Sequence, residues 1–130
     1  MEIIQTILVE DSLSMQSFIR TAIESNFKNI QVNMVKNGAL AMREMQTNPY
    51  HLVLCDWNTP VLSGDKLLQW IRETPSLKEI PFIMITGNSK EADVLKAKEL
   101  GANDYIVKPF TLDVLITKLH KNCTHLMRTE

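Results

Sequence analysis

The chain has 130 residues, of which 45% are apolar and 22% are charged, and its net charge at pH 7 is −1. This length supports one domain with a buried core and is too short for two ordinary ones. The near-neutral charge gives no sign of direct binding to nucleic acid or to an anionic membrane, and no apolar run approaches the ~20 residues of a membrane-spanning helix.

Five short apolar runs alternate with segments whose apolar residues recur at helical spacing. Ser12 or Ser14 is available to cap the first helical segment, and Thr111 to cap the last. Pro49 ends the second segment and Gly101 the fourth. The predicted strands are residues 6–9, 32–35, 52–55, 82–86 and 105–107, and the apolar residues of the predicted helices span 15–23, 39–45, 64–71, 92–100 and 112–123.

Strands that alternate with helices, without repeats or an internal linker, predict a parallel sheet between two layers of helices. Five units are too few for an eight-fold barrel, so we expect an open, doubly wound α/β sheet. Sheets of this kind bind ligands in the crevice beyond the carboxyl ends of their strands.

The two cysteines, Cys55 and Cys123, are too few for a disulfide framework. The N-terminal segment lacks the basic start and long apolar core of a signal peptide. We therefore interpret both cysteines as reduced and structural, and we expect a cytoplasmic protein.

Polar residues stand at the ends of four predicted strands. Glu10 and Asp11 follow the first strand, Asp56 follows the third, Thr86 ends the fourth and Lys108 follows the fifth. These ends share one edge of a parallel sheet, so the side chains should converge. Three carboxylates together repel unless a cation joins them, and Mg²⁺ is the common choice where a phosphate is handled. A hydroxyl and an ammonium beside them indicate a site for a phosphoryl group.

Four motifs support this interpretation: ILVEDS, LCDWNTP, MITG and YIVKPF. In this order and spacing they resemble the receiver domains of bacterial two-component response regulators, above all the CheY-like single-domain type. The likeness covers essentially the whole chain, so we interpret residues 1–130 as one receiver domain. It implies a flavodoxin-like (βα)5 sheet with the strand order 2-1-3-4-5.

The resemblance also implies a reaction and a metal. Asp56 would accept a phosphoryl group from a phosphohistidine on a sensor histidine kinase or a histidine phosphotransfer protein. Glu10, Asp11 and Asp56 would hold Mg²⁺ or Mn²⁺, with the backbone carbonyl of Asn58 as a further ligand. Many members of the family have Asp where this chain has Glu10, but either residue supplies the carboxylate that the metal needs.

The resemblance further implies a switch. Thr86 and Lys108 would bind the phosphoryl oxygens, and the Lys108–Pro109 peptide bond would be cis. Thr86 would move toward the new phosphoryl group and vacate space that Tyr105, at the family's aromatic switch position, can enter. The surface of helix four, strand five and helix five would then change and bind a downstream protein. We expect a monomer or weak dimer that contacts neither nucleic acid nor membrane directly.

Asn58 and Asn88, which lie two residues beyond Asp56 and Thr86, occupy positions that tune the lifetime of the phosphoryl group in this family. Asn58 also bears on an enzyme alternative, an aspartate-nucleophile phosphatase of the haloacid dehalogenase type. Such an enzyme needs a second Asp where this chain has Asn58. We therefore expect a phosphoacceptor signalling domain and not an enzyme.

Two further alternatives concern how the chain is used. One is a pseudo-receiver that binds partners without phosphorylation, against which the full acidic set with Thr86 and Lys108 argues. The other is a receiver module excised from a longer response regulator or hybrid kinase. Only one helix fits between Pro109 and Glu130, so we expect no output domain within residues 1–130.

Overall fold

The computed structural model describes residues 3–87 and 91–123. Strands and helices alternate along these residues, as the sequence predicts. The elements are β1 (Ile4–Val9), α1 (Leu13–Asn26), β2 (Ile30–Val35), α2 (Gly38–Thr47), β3 (Leu52–Asp56), α3 (Gly64–Glu73), β4 (Phe82–Thr86), α4 (Glu91–Leu100), β5 (Asp104–Val107) and α5 (Leu112–Cys123).

The five strands form one parallel sheet in the order β2-β1-β3-β4-β5, which confirms the predicted doubly wound, flavodoxin-like fold. The register aligns the carboxyl ends of neighbouring strands. Asp56 at the end of β3 is paired with Ile85 of β4, and Thr86 at the end of β4 is paired with Val107 of β5. The residues that follow the strands therefore meet at one edge of the sheet.

Helices cover both faces of the sheet and bury two apolar layers. Leu8 of β1 belongs to the same buried cluster as Ile19 of α1 and Leu115 of α5. Its neighbour Val9 points to the other face, where it shares a cluster with Leu67 of α3. Because both faces are covered, β3 and β4 are apolar up to their last residues, Asp56 and Thr86, and do not alternate with polar residues.

Side-chain caps begin three of the helices. Ser12, Asn37 and Thr111 each accept a hydrogen bond from a backbone N–H three residues further on. The cap of α1 is thus Ser12, and Ser14 lies inside the helix. Asn37 is the N-cap of α2, and Gly38 is the first residue of the helix.

The apolar residues that predict the fourth helix from the sequence, Ala92, Leu95 and Leu100, do not include Ala97, which the structure buries. Leu95 is 56% exposed, whereas Ala97 is buried against the layer that contains α2 and α3. Apolar spacing predicts that a helix forms, but here a small side chain makes the contact and the larger one faces outward. No helix in the described part of the chain is long and apolar enough to cross a membrane.

Candidate functional site

Three carboxylates meet at the carboxyl edge of the sheet. Glu10 and Asp11 follow β1, and Asp56 ends β3. One oxygen from each lies within 4.8 Å of the other two. Glu10 and Asp56 are buried and Asp11 is exposed, so the cluster opens to solvent on the side of Asp11. The predicted convergence of the three acids is therefore present in the structure.

The corner between β1 and α1 holds Glu10 through its backbone and its side chain. The Glu10 N–H donates to the Val35 carbonyl at 3.0 Å, and the Ser12 N–H donates to Glu10 Oε2 at 3.1 Å. The buried amide of Gln16 donates from Nε2 to the Glu10 carbonyl at 2.5 Å. These contacts fix the direction in which the carboxylate leaves the strand.

Our reading of the sequence missed Gln16. Its signal was a polar residue at helical spacing from Ile19 and Ile23, on the buried face of α1. A buried polar side chain requires a hydrogen-bond partner, and here that partner is the backbone of an acid at the site.

Lys108, which follows β5, reaches the carboxylates that follow β1 and end β3. Its Nζ lies 3.1 Å from Glu10 Oε1 and 3.2 Å from Asp56 Oδ2. Burial alone would lower the pKa of Lys108, but the hydrogen bonds and ion pairs with these two acids outweigh burial and raise it. Lys108 therefore carries its positive charge into the cluster. The Lys108–Pro109 bond is cis, as expected.

The loop after β3 orients Asp56. The Asn58 N–H donates to Asp56 Oδ1 at 3.1 Å, while the side chain of Asn58 is exposed. The Trp57 N–H donates to the Ile85 carbonyl at 2.8 Å and continues the sheet by one residue. Trp57 packs over Gly64, where an added Cβ would lie 2.9 Å from the Trp57 Cε3 atom. Both oxygens of the Asp56 carboxylate thus have a hydrogen-bond donor.

Thr86 and Tyr105 lie on adjacent strands, and their side chains point to the same face of the sheet. Tyr105 is paired with Met84, and Thr86 lies two residues further along β4, so its side chain points to the same face as Met84. Thr86 is buried and Tyr105 is half-buried. Asn88, the other predicted lifetime position, lies outside the described residues.

The donor set fits a hard divalent cation. All three side chains offer carboxylate oxygens, which Mg²⁺ prefers, and opposite ligands of an octahedral Mg²⁺ lie about 4.2 Å apart. The three oxygens here lie within 4.8 Å of one another, close enough that the three side chains could hold one ion. Glu10, Asp11 and Asp56 are therefore suited to hold Mg²⁺ or Mn²⁺, beside a lysine that can meet an anion.

Comparison with known proteins agrees with this architecture. Residues 6–120 match the family model described as the response regulator receiver domain. The probable chemotaxis protein CheY of Rhizobium etli is 34% identical to this chain over 86% of each protein. The chemotaxis protein CheY-3 of Vibrio cholerae is also 34% identical, over 88% of each.

A solved structure extends the comparison to the site. The receiver domain of the sensor histidine kinase PA1611 from Pseudomonas aeruginosa has a magnesium ion coordinated in its active-site cleft. It is 29% identical to this chain, with a TM-score of 0.83, and the match covers 94% of this chain and 98% of that one. Fold, acidic cluster and sequence agree, and this chain belongs to the family of response regulator receiver domains.

Proposed function

We propose that this chain is a phosphorylation-dependent switch in a two-component signalling system. It accepts a phosphoryl group on Asp56 from a histidine kinase or a histidine phosphotransfer protein. The observation that carries the proposal is the position of Lys108 Nζ, within 3.2 Å of both Glu10 and Asp56, beside a third carboxylate from Asp11. One cation and three acids at the end of a parallel sheet suit the transfer of a phosphoryl group.

The proposed reaction forms an acyl phosphate. An oxygen of the Asp56 carboxylate attacks phosphorus, the P–N bond of the donor phosphohistidine breaks, and the imidazole leaves with the electron pair. Asn58 N–H and Lys108 Nζ hold the carboxylate in one orientation, which lowers the entropic part of the barrier. When Mg²⁺ is bound by Glu10, Asp11 and Asp56, with the Asn58 carbonyl as a further ligand, it neutralises charge on the phosphoryl oxygens.

The proposed switch follows from the added charge. The acyl phosphate brings roughly one net negative charge to the site. Thr86 and Lys108 donate to the phosphoryl oxygens, and Thr86 moves toward them. Tyr105 lies next to Thr86 on the same face of the sheet, so its ring can enter the space that is vacated. The surface of α4, β5 and α5 then changes and is read by a downstream protein.

The lifetime of the phosphoryl group is assigned to the same loops. The exposed side chain of Asn58 lies two residues from Asp56, where it can interact with water that approaches the acyl phosphate. Asn88, two residues beyond Thr86 in the sequence, would act with Asn58. We propose that these two side chains tune how long the signal lasts.

We propose a signalling domain and not a phosphatase because Asn58 stands where an aspartate-nucleophile phosphatase needs a second Asp. An amide neither gives nor takes a proton at neutral pH, so it does not provide general acid–base catalysis. We propose that the domain is cytoplasmic, is a monomer or weak dimer, and acts by direct contact with a protein target. A receiver module of a longer response regulator or hybrid kinase is the alternative.

The proposal is tested with acetyl phosphate and Mg²⁺. Intact-mass spectrometry should show the addition of one phosphoryl group to the wild type and none to Asp56→Asn. Asp113→Asn removes an exposed acid in the first turn of α5 and serves as the matched control, which should be phosphorylated like the wild type. Chelation of the metal should slow the reaction of the wild type and of Asp113→Asn.

Three outcomes would contradict the proposal in different ways. A phosphoryl group on Asp56→Asn would place the acceptor elsewhere. A wild type that takes up no phosphoryl group would favour a pseudo-receiver. Continuous turnover of a phosphorylated metabolite, at a rate well above that of acyl-phosphate decay, would favour the phosphatase.

A further inference from the structure

In addition to Glu10 and Asp56, a third buried carboxylate, Asp104, begins β5 at the opposite end of the strand from Lys108. Asp104 is 6% exposed. Its Oδ1 accepts hydrogen bonds from Lys118 Nζ at 2.7 Å and from the Tyr105 N–H at 2.8 Å, and its Oδ2 accepts one from Asn122 Nδ2 at 2.9 Å. Lys121 Nζ lies 3.6 Å from Oδ2 on a side chain that is 69% exposed. Asp104 is therefore held from several directions and is a fixed point on β5.

Lys118 connects this fixed point to the proposed switch. Its Nζ lies 5.0 Å from the centre of the Tyr105 ring, within the range of a cation–π contact. The same Nζ is bonded to Asp104, so the ammonium is anchored and does not follow the ring when the ring moves. The contact is available only while Tyr105 stays in its present half-buried position.

We propose that Asp104 and Lys118 form a clasp that holds the Tyr105 ring in this position and opposes its inward movement. In this assignment Lys118 is a positioning residue that sets how strongly the surface of α4, β5 and α5 responds to phosphorylation. The link to phosphorylation rests on the proposed function, whereas the hold on the ring is a property of the unphosphorylated chain. A cation–π contact of this exposure changes the ratio of the two ring positions by about two- to fivefold.

The two tyrosines of the chain allow a direct measurement. With 3-fluorotyrosine in place of tyrosine, the ¹⁹F spectrum has one signal from Tyr105 and one from Tyr50, assigned by Tyr50→Phe. The change in each signal between H₂O and D₂O reports how exposed that ring is to solvent. Tyr50 is the internal reference, since its hydroxyl donates to Glu44 at 2.8 Å in another part of the fold.

Four variants separate the clasp from general effects of charge. Lys118→Met removes the ammonium and keeps the apolar stem, so the Tyr105 ring should become less exposed in the unphosphorylated protein. Lys118→Arg keeps a cation that can stack on the ring and should resemble the wild type. Lys121→Met removes the other lysine that pairs with Asp104, on an exposed side chain, and should also resemble the wild type. Asp104→Asn frees Lys118 and should act in the same direction as Lys118→Met.

Phosphorylation gives the scale of the effect. Acetyl phosphate and Mg²⁺ should lower the exposure of the Tyr105 ring in the wild type. The exposure of this ring in unphosphorylated Lys118→Met should lie between the values for the unphosphorylated and phosphorylated wild type. Phosphoryl incorporation, followed by mass, should be equal in the two proteins because Lys118 does not touch Asp56.

The outcomes distinguish the clasp from the proposed function. If Tyr105 in both Lys118→Met and Asp104→Asn is as exposed as in the wild type, or more so, the clasp is refuted, whatever the phosphorylation result. If the wild type takes up no phosphoryl group, the proposed function fails, and the unphosphorylated variants still decide the clasp. An equal loss of exposure in Lys121→Met would assign the effect to net charge and would also refute the clasp.

Discussion

The Nζ atom of Lys108 lies 3.2 Å from Oδ2 of Asp56, although the two residues are 52 positions apart in the chain. The same ammonium lies 3.1 Å from Oε1 of Glu10. The site therefore carries its own counter-ion, which bonds to two of the three acids suited to hold a metal. Lysine and metal share these carboxylates, so each should influence how the other binds.

Replacing Lys108 by Met should raise the affinity for Mg²⁺ and abolish the response to phosphorylation. The positive charge that repels the metal is gone, and about tenfold tighter binding corresponds to about 1.4 kcal/mol. The acyl phosphate, in contrast, loses the ammonium that should bind its oxygens together with the Thr86 hydroxyl. Calorimetric titration with Mg²⁺ measures the first effect, and the Tyr105 ¹⁹F signal after treatment with acetyl phosphate measures the second.

Lys28→Met is the control for this variant, since Lys28 is exposed and precedes β2 at the opposite edge of the sheet. It should bind Mg²⁺ like the wild type. Weaker Mg²⁺ binding in Lys108→Met, or a normal response of Tyr105 to phosphorylation, would contradict the shared-carboxylate arrangement.

Gly38 at the start of α2 is predicted to be intolerant of a methyl group. A Cβ at this position would lie 2.3 Å from the carbonyl oxygen of Leu62, in the loop that follows Asp56. Gly38→Ala should therefore lower the free energy of unfolding by about 1–3 kcal/mol, despite the higher helix propensity of alanine. At Gly87 an added Cβ would meet no atom of the described residues within 4 Å, so Gly87→Ala should change stability by less than about 0.5 kcal/mol.

Urea unfolding of the two glycine variants is the measurement. If Gly38→Ala were as stable as Gly87→Ala, the close packing of the loop on α2 would be wrong. If Gly38→Ala were phosphorylated more slowly than the wild type under conditions where both proteins are folded, this packing would also position Asp56.

The acidic cluster could be predicted from the sequence because a parallel sheet brings the ends of its strands to one edge. Glu10, Asp56 and Lys108 follow buried runs, so their positions depend only on the strand pattern and the direction of the strands. Topology, which the alternation of elements indicates, was sufficient for these three residues. The roles of Thr86 and Tyr105 as a switch pair came instead from the resemblance to receiver domains.

Contacts that depend on how helices and loops pack could not be predicted in this way. Gln16 supports Glu10, Leu62 packs on Gly38, and Asp104 binds Lys118, but each contact joins segments whose relative placement the local pattern does not encode. The burial of Ala97 in α4 was not predicted for the same reason, since apolar spacing alone does not show which side of a helix makes the contact. Local sequence predicted the elements, and tertiary packing decided these pairs.

Asp104 should make stability depend on pH in the acid range. Burial tends to raise the pKa of its carboxyl group, but hydrogen bonds from Lys118, Asn122 and the Tyr105 N–H outweigh burial and lower it below the ordinary 3.8. An acid with a lowered folded-state pKa stabilises the fold fully above its unfolded-state pKa, and this contribution disappears as the pH falls through the folded-state value. Asp104→Asn should lower the free energy of unfolding by about 1–3 kcal/mol at neutral pH.

The measurement is urea unfolding of the wild type and Asp104→Asn at neutral pH and through the acid range. The difference between them should be constant above about pH 4–5 and should shrink as the pH falls below 3.8. A difference that stays constant down to the acid limit would mean that Asp104 contributes by packing and not by its charge.

Arg72, which lies outside the site, should contribute strongly to stability through its hydrogen bonds. From the end of α3 its guanidinium donates two hydrogen bonds to the Gly101 carbonyl, at 3.0 and 2.8 Å, and one to Asn103 Oδ1 at 3.0 Å. It also reaches the carbonyls of Lys78 and Ile80, at 3.1 and 2.7 Å. It thereby ties the end of α4 to α3 and to the loop before β4.

Arg72→Lys should lower the free energy of unfolding by about 2–4 kcal/mol, because an ammonium on a lysine stem does not reach carbonyls in several directions and leaves some of them unpaired. The matched control is Arg43→Lys, on the exposed face of α2, which should change stability by less than about 0.5 kcal/mol. Urea unfolding measures both. Since α4 buries little of its own surface, hydrogen exchange in Arg72→Lys should rise first in α4, and uniform loss of protection throughout the chain would show that Arg72 does not anchor that helix specifically.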